Sequence, residues 1–456
     1  MSTETNSKEL RQLALDHLWM HNRDWVQAAE LGEPLVIVEG QGIRVKDADG
    51  KDWIDVNGGY ASVAVGYGRT EIADAAYEQM QRITYFPQTT ANEPTIRLAA
   101  KLAKITPGSL SRVFPVSGGS EANETALKIA RAYHHRKGDH GRYKIISRKG
   151  SYHGATGGVV WLGTNSTSSR RDYEPAYPGM LYAPQPLMYH CEFGSWSTSE
   201  CATRCAQKIE ALIVENHPET VAAVIAEPVA SGPGAAVPGD EYWPMLRDIC
   251  DKFGVVLIAD EIITGFGRTG KMFAVEHWDV VPDIMTIAKG MISSYLPIGA
   301  TIVRKEIAEP FGGEGNHLRH VFTFAGHPVS AAAALKNIEI LENERLIENA
   351  ANVGGYFKEK LGELFEKHPM IGDVRGIGLM LSIEFVADRE SKAVFPEAVK
   401  LADRLNEKFK SQRLILQTFG HIVNFSPPLC ITADDVDEIV SKVDRSLGEV
   451  ERNLGL

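Results

Sequence analysis

Apolar and polar positions change period along this chain. Residues 35–38 place apolar side chains ahead of Glu39-Gly40, residues 43–46 follow, Asp49-Gly50 has the composition of a hairpin turn, and residues 53–56 resume the apolar pattern. That order predicts a small β-meander. From Thr70 onward the pattern is different. Short, largely apolar runs at 113–116, 144–147, 158–162, 221–226, 255–259, 284–288 and 298–303 are separated by helical stretches such as 121–136, 200–216 and 241–253. Strands without a polar face, joined through helices, predict an α/β domain with a mostly parallel seven-stranded sheet covered on both sides.

Past Pro328 the reading is helix at 330–346 and 347–368, a turn at Gly376-Ile377-Gly378 and a strand at 379–385. A helix at 397–412, a strand pair at 414–416 and 422–425 and a last helix at 433–453 follow. This is a smaller α+β unit. The expected division is 1–65 for the N-terminal part of the small domain, 66–328 for the large domain and 329–456 for the rest of the small one.

Composition narrows the function. With 456 residues, 44% hydrophobic, 23% charged and a formal net charge of −11, the chain has ordinary globular usage. An acidic surface repels phosphate backbones, and the basic clusters at 131–137 and 170–171 are too short to reverse this, so no nucleic-acid partner is expected. The stretch from Met1 to Arg11 is polar, and no apolar run reaches the roughly 20 residues that span a bilayer. A cytoplasmic protein without a membrane partner is expected. Five cysteines are too few and too unevenly spaced for a disulfide framework. His190, Cys191, Cys201 and Cys205 have the chemistry of a metal site, but the tight CxxC spacing is missing, and no metal is expected.

In sheets of this kind, ligands bind beyond the carboxyl ends of the strands. After 113–116 comes Ser117-Gly118-Gly119-Ser120-Glu121, a small-residue turn opening a helix, which suits a phosphate. After 144–147 comes Gly150-Ser151-Tyr152-His153-Gly154, bringing a ring and an imidazole to the same edge. Two further strands end at Glu227 and Asp260, and another delivers Lys289 in Thr286-Ile287-Ala288-Lys289-Gly290. Turn chemistry, helix caps or a lysine reaching solvent would each explain one feature alone. A desolvated lysine is also a good carbonyl nucleophile and forms Schiff bases. Together the features describe a pyridoxal 5′-phosphate site: the Ser117–Ser120 turn for the phosphate, Lys289 for the aldehyde and Asp260 for the ring nitrogen. Tyr152 and Ile262 are candidates to cover the two ring faces.

At this point the chain resembles the class III aminotransferases, pyridoxal phosphate enzymes of fold type I, and within them the taurine:pyruvate and amine:pyruvate branch. The resemblance runs from Val45-Lys46-Asp47-Ala48-Asp49-Gly50-Lys51 to Thr432-Ala433-Asp434-Asp435. It rests on Ser120-Glu121-Ala122-Asn123-Glu124, Tyr152-His153-Gly154, Ala226-Glu227-Pro228, Ala259-Asp260-Glu261 with Gly265-Phe266-Gly267-Arg268-Thr269-Gly270, Ala288-Lys289-Gly290, and Phe322-Thr323 with Gly326-His327-Pro328.

The resemblance implies that Lys289 is the cofactor-bonding lysine, Asp260 the partner of the pyridine nitrogen, and Tyr152 and Ile262 the residues on the ring faces. Gly119 and Ser120 then bind the phosphate, His153 lies at the cofactor, and Glu227 helps hold Asp260 and the substrate side. Thr323 matches a threonine that reaches the neighbouring subunit's phosphate, implying a homodimer with shared sites. Arg268 is read as structural. Tyr60, Phe86 and Ser231 are candidate pocket residues. The implied reaction moves an amino group from a primary amine or ω-amino acid to a keto acid, with pyruvate favoured.

Two departures stand out. Gly118 occupies a place where relatives carry a hydroxyl. Where many relatives have an arginine for the substrate carboxylate, this chain reads Leu416-Gln417-Thr418-Phe419-Gly420-His421, so carboxylate recognition falls to His421, backbone groups or another residue. An aminomutase or decarboxylase could use the same lysine and aspartate. A non-catalytic amine- or cofactor-binding protein would not need Lys289, Asp260, Tyr152 and Glu227 together. A dinucleotide would need a GxGxxG turn directly after a strand, and the one such string, Gly265–Gly270, stands apart from the strand that ends at Ala259.

Overall fold

The computed structural model describes residues 7–164 and 170–456; the start of the polar stretch from Met1 lies outside the described residues. Strands β1 (Ile37–Gln41), β2 (Arg44–Asp47) and β3 (Asp52–Asp55) form the antiparallel meander. The turn between β2 and β3 contains Gly50 at φ 78°, a left-handed position that glycine adopts without a Cβ penalty.

The central sheet contains β4 (Leu110–Val116), β5 (Lys144–Arg148), β6 (Met180–Ala183), β7 (Val221–Ala226), β8 (Val256–Asp260), β9 (Ile284–Ile287) and β10 (Gly299–Arg304), in the spatial order β4-β10-β9-β8-β7-β5-β6. Strand β10 is antiparallel to both neighbours and the other recorded pairings are parallel. The sheet is therefore mostly parallel. All six residues of β7 and all five of β8 are buried, as expected for strands packed on both faces. Fully burying one such valine or isoleucine contributes about 1.5–3 kcal/mol.

Two expectations are corrected. The run 158–162 is not a strand: Val159–Trp161 form a single 3-10 turn. A short buried apolar run has no periodicity that separates the two forms. The seventh strand is instead β6, a half-buried edge strand of only four residues, Met180-Leu181-Tyr182-Ala183. The pair at 414–416 and 422–425 does not exist either. Strand β13 (Leu414–Ile415) joins β3 in parallel, which brings the two ends of the chain into one sheet. Strand β15 (Ile422–Phe425) pairs with β12 (Met380–Phe385) and β14 (Thr418–Phe419). The remaining strand, β11 (Ile371–Ile377), was hidden by its glycines and charges and makes a hairpin with β12.

Helices Pro328–Asn343 and Leu346–Lys367 follow the large sheet, and Ala433–Leu454 closes the chain behind a capping box of Thr432 and Asp435. Among the described residues no helix is long and apolar enough to cross a membrane.

Candidate active site

Adjacent parallel strands deliver their terminal residues to one edge of the sheet: Lys289 after β9, Asp260 at the end of β8, Glu227 after β7 and the Tyr152-His153 loop after β5. From β4 the chain turns through Gly118 into helix Gly119–Arg136. Gly118 is extended and offers no side-chain cap, so the first helical N–H groups lack helical acceptors, an arrangement that suits an anion. A Cβ at Gly118 would meet nothing within 4 Å, which leaves the turn open to an approaching group. The Ser120 hydroxyl accepts the N–H of Ala155 at 3.1 Å.

Asp260 is buried, 4% exposed. Its Oδ2 accepts from Nδ2 of Asn123 at 2.8 Å and lies 2.7 Å from Nδ1 of His153, while Oδ1 accepts the N–H of Ile262 at 3.1 Å. With Asp260 ionised, Nδ1 carries the His153 proton, and Nε2 is buried with no partner. Glu227 is also buried. Its Oε2 accepts both the N–H and the hydroxyl of Ser231 at 2.9 Å, and Oε1 accepts the N–H of Tyr152 at 3.3 Å.

Lys289 stands at φ 42°. Its side chain lines the cavity on one side and is surrounded by protein on the others. Nζ donates to the carbonyl of Tyr60 at 3.0 Å. Desolvation lowers the ammonium pKa to about 8, against the opposing pull of Asp260 and Glu227. The amine is thus neutral in a substantial fraction at mildly alkaline pH, the form that attacks a carbonyl.

These groups surround a cavity of about 140 Å³, lined by Gly119, Ser120, Tyr152, His153, Gly154, Glu227, Asp260, Ile262, Ile263, Thr264 and Lys289. Ser231 and Tyr60 touch its walls through Glu227 and Lys289. Phe86, Thr323, Gln417 and His421 do not line it. Thr323 is exposed and its carbonyl accepts from Tyr85 at 2.6 Å. Nδ1 of His421 is buried without a partner. Arg268 donates to the carbonyls of Leu379 and Pro427, away from the cavity lining.

Two contacting residues carried no assigned role in the sequence reading, Asn123 and Thr286. Thr286 is a polar residue inside an otherwise apolar strand, which is a signal, whereas Asn123 stands among the polar residues of a helix start and carries none. Among the described residues no group of three or more His, Cys, Asp or Glu is arranged to hold a metal ion. His190 instead pairs with Glu384, while Cys201 and Cys205 are buried in helix Thr198–Glu215.

The family model described as "Aminotransferase class-III" matches residues 26–447. The chain belongs to the class III aminotransferases. It is 37% identical to the taurine–pyruvate aminotransferase of Bilophila wadsworthia, covering 98% of this chain and 99% of that one. It is 36% identical to the diaminobutyrate–2-oxoglutarate transaminase of Halomonas elongata, over 95% and 94% of the two chains. A solved structure of an (S)-enantioselective omega-transaminase from Thermomicrobium roseum superposes with TM-score 0.94 at 40% identity, over 98% of this chain and 99% of that one.

Class III aminotransferases work with pyridoxal 5′-phosphate, and the donor set here fits that cofactor. One amine, the buried Asp260 and Glu227 carboxylates and a small-residue turn opening a helix converge on a single cavity flanked by Tyr152 and Ile262. The approach is close, since a Cβ at Gly119 would come within 3.0 Å of Ile262.

Proposed function

We propose that this aminotransferase takes its amino group from a primary amine or ω-amino acid and passes it to pyruvate. One observation carries the reading: no guanidinium is among the cavity-lining residues, whose ionisable members are Tyr152, His153, Glu227, Asp260 and Lys289. A donor without a carboxylate needs no bidentate cationic partner, and the single carboxylate of pyruvate falls to backbone donors or to a residue outside this lining. The taurine–pyruvate relative supports the same reading. The diaminobutyrate relative carries 2-oxoglutarate in its name and defines the competing acceptor.

In this reading the N–H groups opened by Gly119 and Ser120 seat the phosphate, Asp260 pairs with the pyridine nitrogen under the hold of His153, and Tyr152 and Ile262 cover the ring faces. When bound, the cofactor supplies an electron sink beside the carbon that loses its proton. Lys289 anchors the cofactor aldehyde and, when free, moves the proton from the donor carbon with Nζ. Glu227 is held at the substrate side by the two Ser231 bonds. Thr323 reaches the phosphate of a second copy, giving a homodimer with shared sites; its exposure and its place outside its own cavity support this. The five free cysteines support a reducing, cytosolic compartment.

The test is a screen of taurine, diamines and arylalkyl amines against pyruvate and 2-oxoglutarate, with keto product, alanine and glutamate quantified. Alanine matched by keto product is expected, with none from Lys289→Ala. Glutamate in excess would overturn the acceptor. Carbon dioxide release or an isomeric amine without keto product would instead identify a decarboxylase or an aminomutase.

A further inference from the structure

Asn123 and Thr286 are both fully buried, in helix Gly119–Arg136 and strand β9. The Asn123 amide is bonded on both sides. Nδ2 donates to the carbonyl of His153 at 2.7 Å and to Oδ2 of Asp260 at 2.8 Å, while Oδ1 accepts from Oγ1 of Thr286 at 2.8 Å. Two acceptors on one side and a hydroxyl donor on the other leave only one sensible orientation of the amide. These bonds connect four segments that bear the site: the helix opened by Gly119-Ser120, the Tyr152-His153 loop, the end of β8 and the strand leading to Lys289.

We infer that Asn123, oriented by Thr286, is a positioning residue for Asp260, fixing both the direction and the charge of that carboxylate. This rests on the reading of Asp260 as the partner of the pyridine nitrogen. Donors to a buried carboxylate favour its charged form, and Oδ2 meets two groups, Asn123 and His153. Without the Asn123 amide, Oδ2 keeps His153 alone, and the His153 carbonyl and Thr286 hydroxyl each lose a buried partner. The recorded bond of the Thr286 hydroxyl runs to Asn123, so the effects of the two residues on Asp260 overlap rather than add. Aspartate at position 123 keeps the shape but sets a second carboxylate against Asp260, and two carboxylates at hydrogen-bond distance cannot both ionise readily.

The experiment titrates cofactor-free wild type, Asn123→Ala, Asn123→Asp, Thr286→Val, Thr286→Ser and Asp260→Asn with pyridoxal 5′-phosphate across pH, reading Kd alongside Tm. Asn123→Ala should weaken binding about tenfold and move the acid limb of the binding profile up by about one pH unit. Asn123→Asp should weaken it further. Thr286→Val should give a smaller shift in the same direction, Thr286→Ser should match wild type, and the double variant Asn123→Ala with Thr286→Val should be no worse than Asn123→Ala. If Asn123→Ala and Thr286→Val lower Tm but keep the wild-type pH profile, Asn123 merely packs the core and the inference falls. If Asn123→Ala does not fold, the Thr286 pair decides the matter alone. Asp260→Asn separates the two levels: wild-type binding by that variant sinks the reading of Asp260, whereas loss of binding there with unchanged profiles in the others sinks only the role of Asn123.

Discussion

Nζ of Lys289 donates to the carbonyl oxygen of Tyr60 at 3.0 Å, and Tyr60 stands in a left-handed stretch from Gly58 to Ala61 with φ between 52° and 63°. Left-handed backbone costs roughly 1–2 kcal/mol for each non-glycine residue, so Tyr60 and Ala61 stay there only under external constraint. Asp55 supplies part of it, accepting the N–H groups of Asn57 and Gly59 at 3.0 Å and the Tyr67 hydroxyl at 2.6 Å. Gly58 supplies the rest by fitting beneath the Ser426 carbonyl. A Cβ there would lie 2.4 Å from that oxygen. Gly58→Ala should lower stability by about 2 kcal/mol or more and slow cofactor capture, because the seat of Lys289 moves with the turn. Denaturant unfolding and stopped-flow absorbance check this, and wild-type values in both would contradict it.

The pH dependence of Lys289 gives a second prediction. Its ammonium titrates near pH 8 rather than at the ordinary 10.5. Capture of cofactor by the cofactor-free protein should therefore speed up with rising pH and level off above about 8. Between 8 and 10.5 the unfolded chain binds a proton that the folded chain does not, so the stability of the cofactor-free protein should rise with pH across that window. Lys289→Met should flatten this slope. A capture rate still climbing at pH 10.5 would show that the lysine is not desolvated.

Glu261 carries the opposite sign. It is fully buried, and desolvation raises its carboxyl to about 7, although Thr264 and the Val275 N–H hydrogen-bond to it. The fold holds this proton to a higher pH than the unfolded chain does, so its contribution to stability is present below the ordinary 4.5 and is lost as pH rises through about 7. Glu261→Gln lacks that dependence. Its Tm relative to wild type should improve from pH 5 to pH 8, and a constant difference would refute the assignment.

Ser231 offers a test confined to the site. Its hydroxyl and N–H both bond to Oε2 of Glu227 at 2.9 Å. Ser231→Ala removes one of three donors to a carboxylate, a change of about 1.5 kcal/mol or roughly tenfold. We expect kcat/KM to fall by about that factor with little change in Tm. A drop in Tm with unaltered kinetics would assign Ser231 to the loop's stability alone.

Much of this was legible beforehand because strand ends announce themselves. A buried parallel strand reads as an apolar run, and the first polar residue after it must lie at the sheet edge, which is how Glu227, Asp260 and Lys289 could be named without coordinates. The misplaced strand at 158–162 marks where that logic stops. Val159–Trp161 is as apolar as β7, and only its packing makes it a 3-10 turn. Strand β11 was missed for the converse reason, since pairing held a charged, glycine-bearing stretch in a sheet, while the four residues of β6 are too few to show a period.

The order of residues therefore determined the α/β class, the family and which side chains stand at the functional edge, because those follow from local periodicity and short motifs. Which side chains meet was decided by tertiary structure. Asn123 and Asp260 are 137 positions apart and touch because the helix that follows β4 packs over β8 and β9. Lys289 and Tyr60 are 229 positions apart and meet through a left-handed turn that no local preference would select. A hydrogen bond between distant residues depends on strand order and register, and these are settled only when the whole core is buried at once.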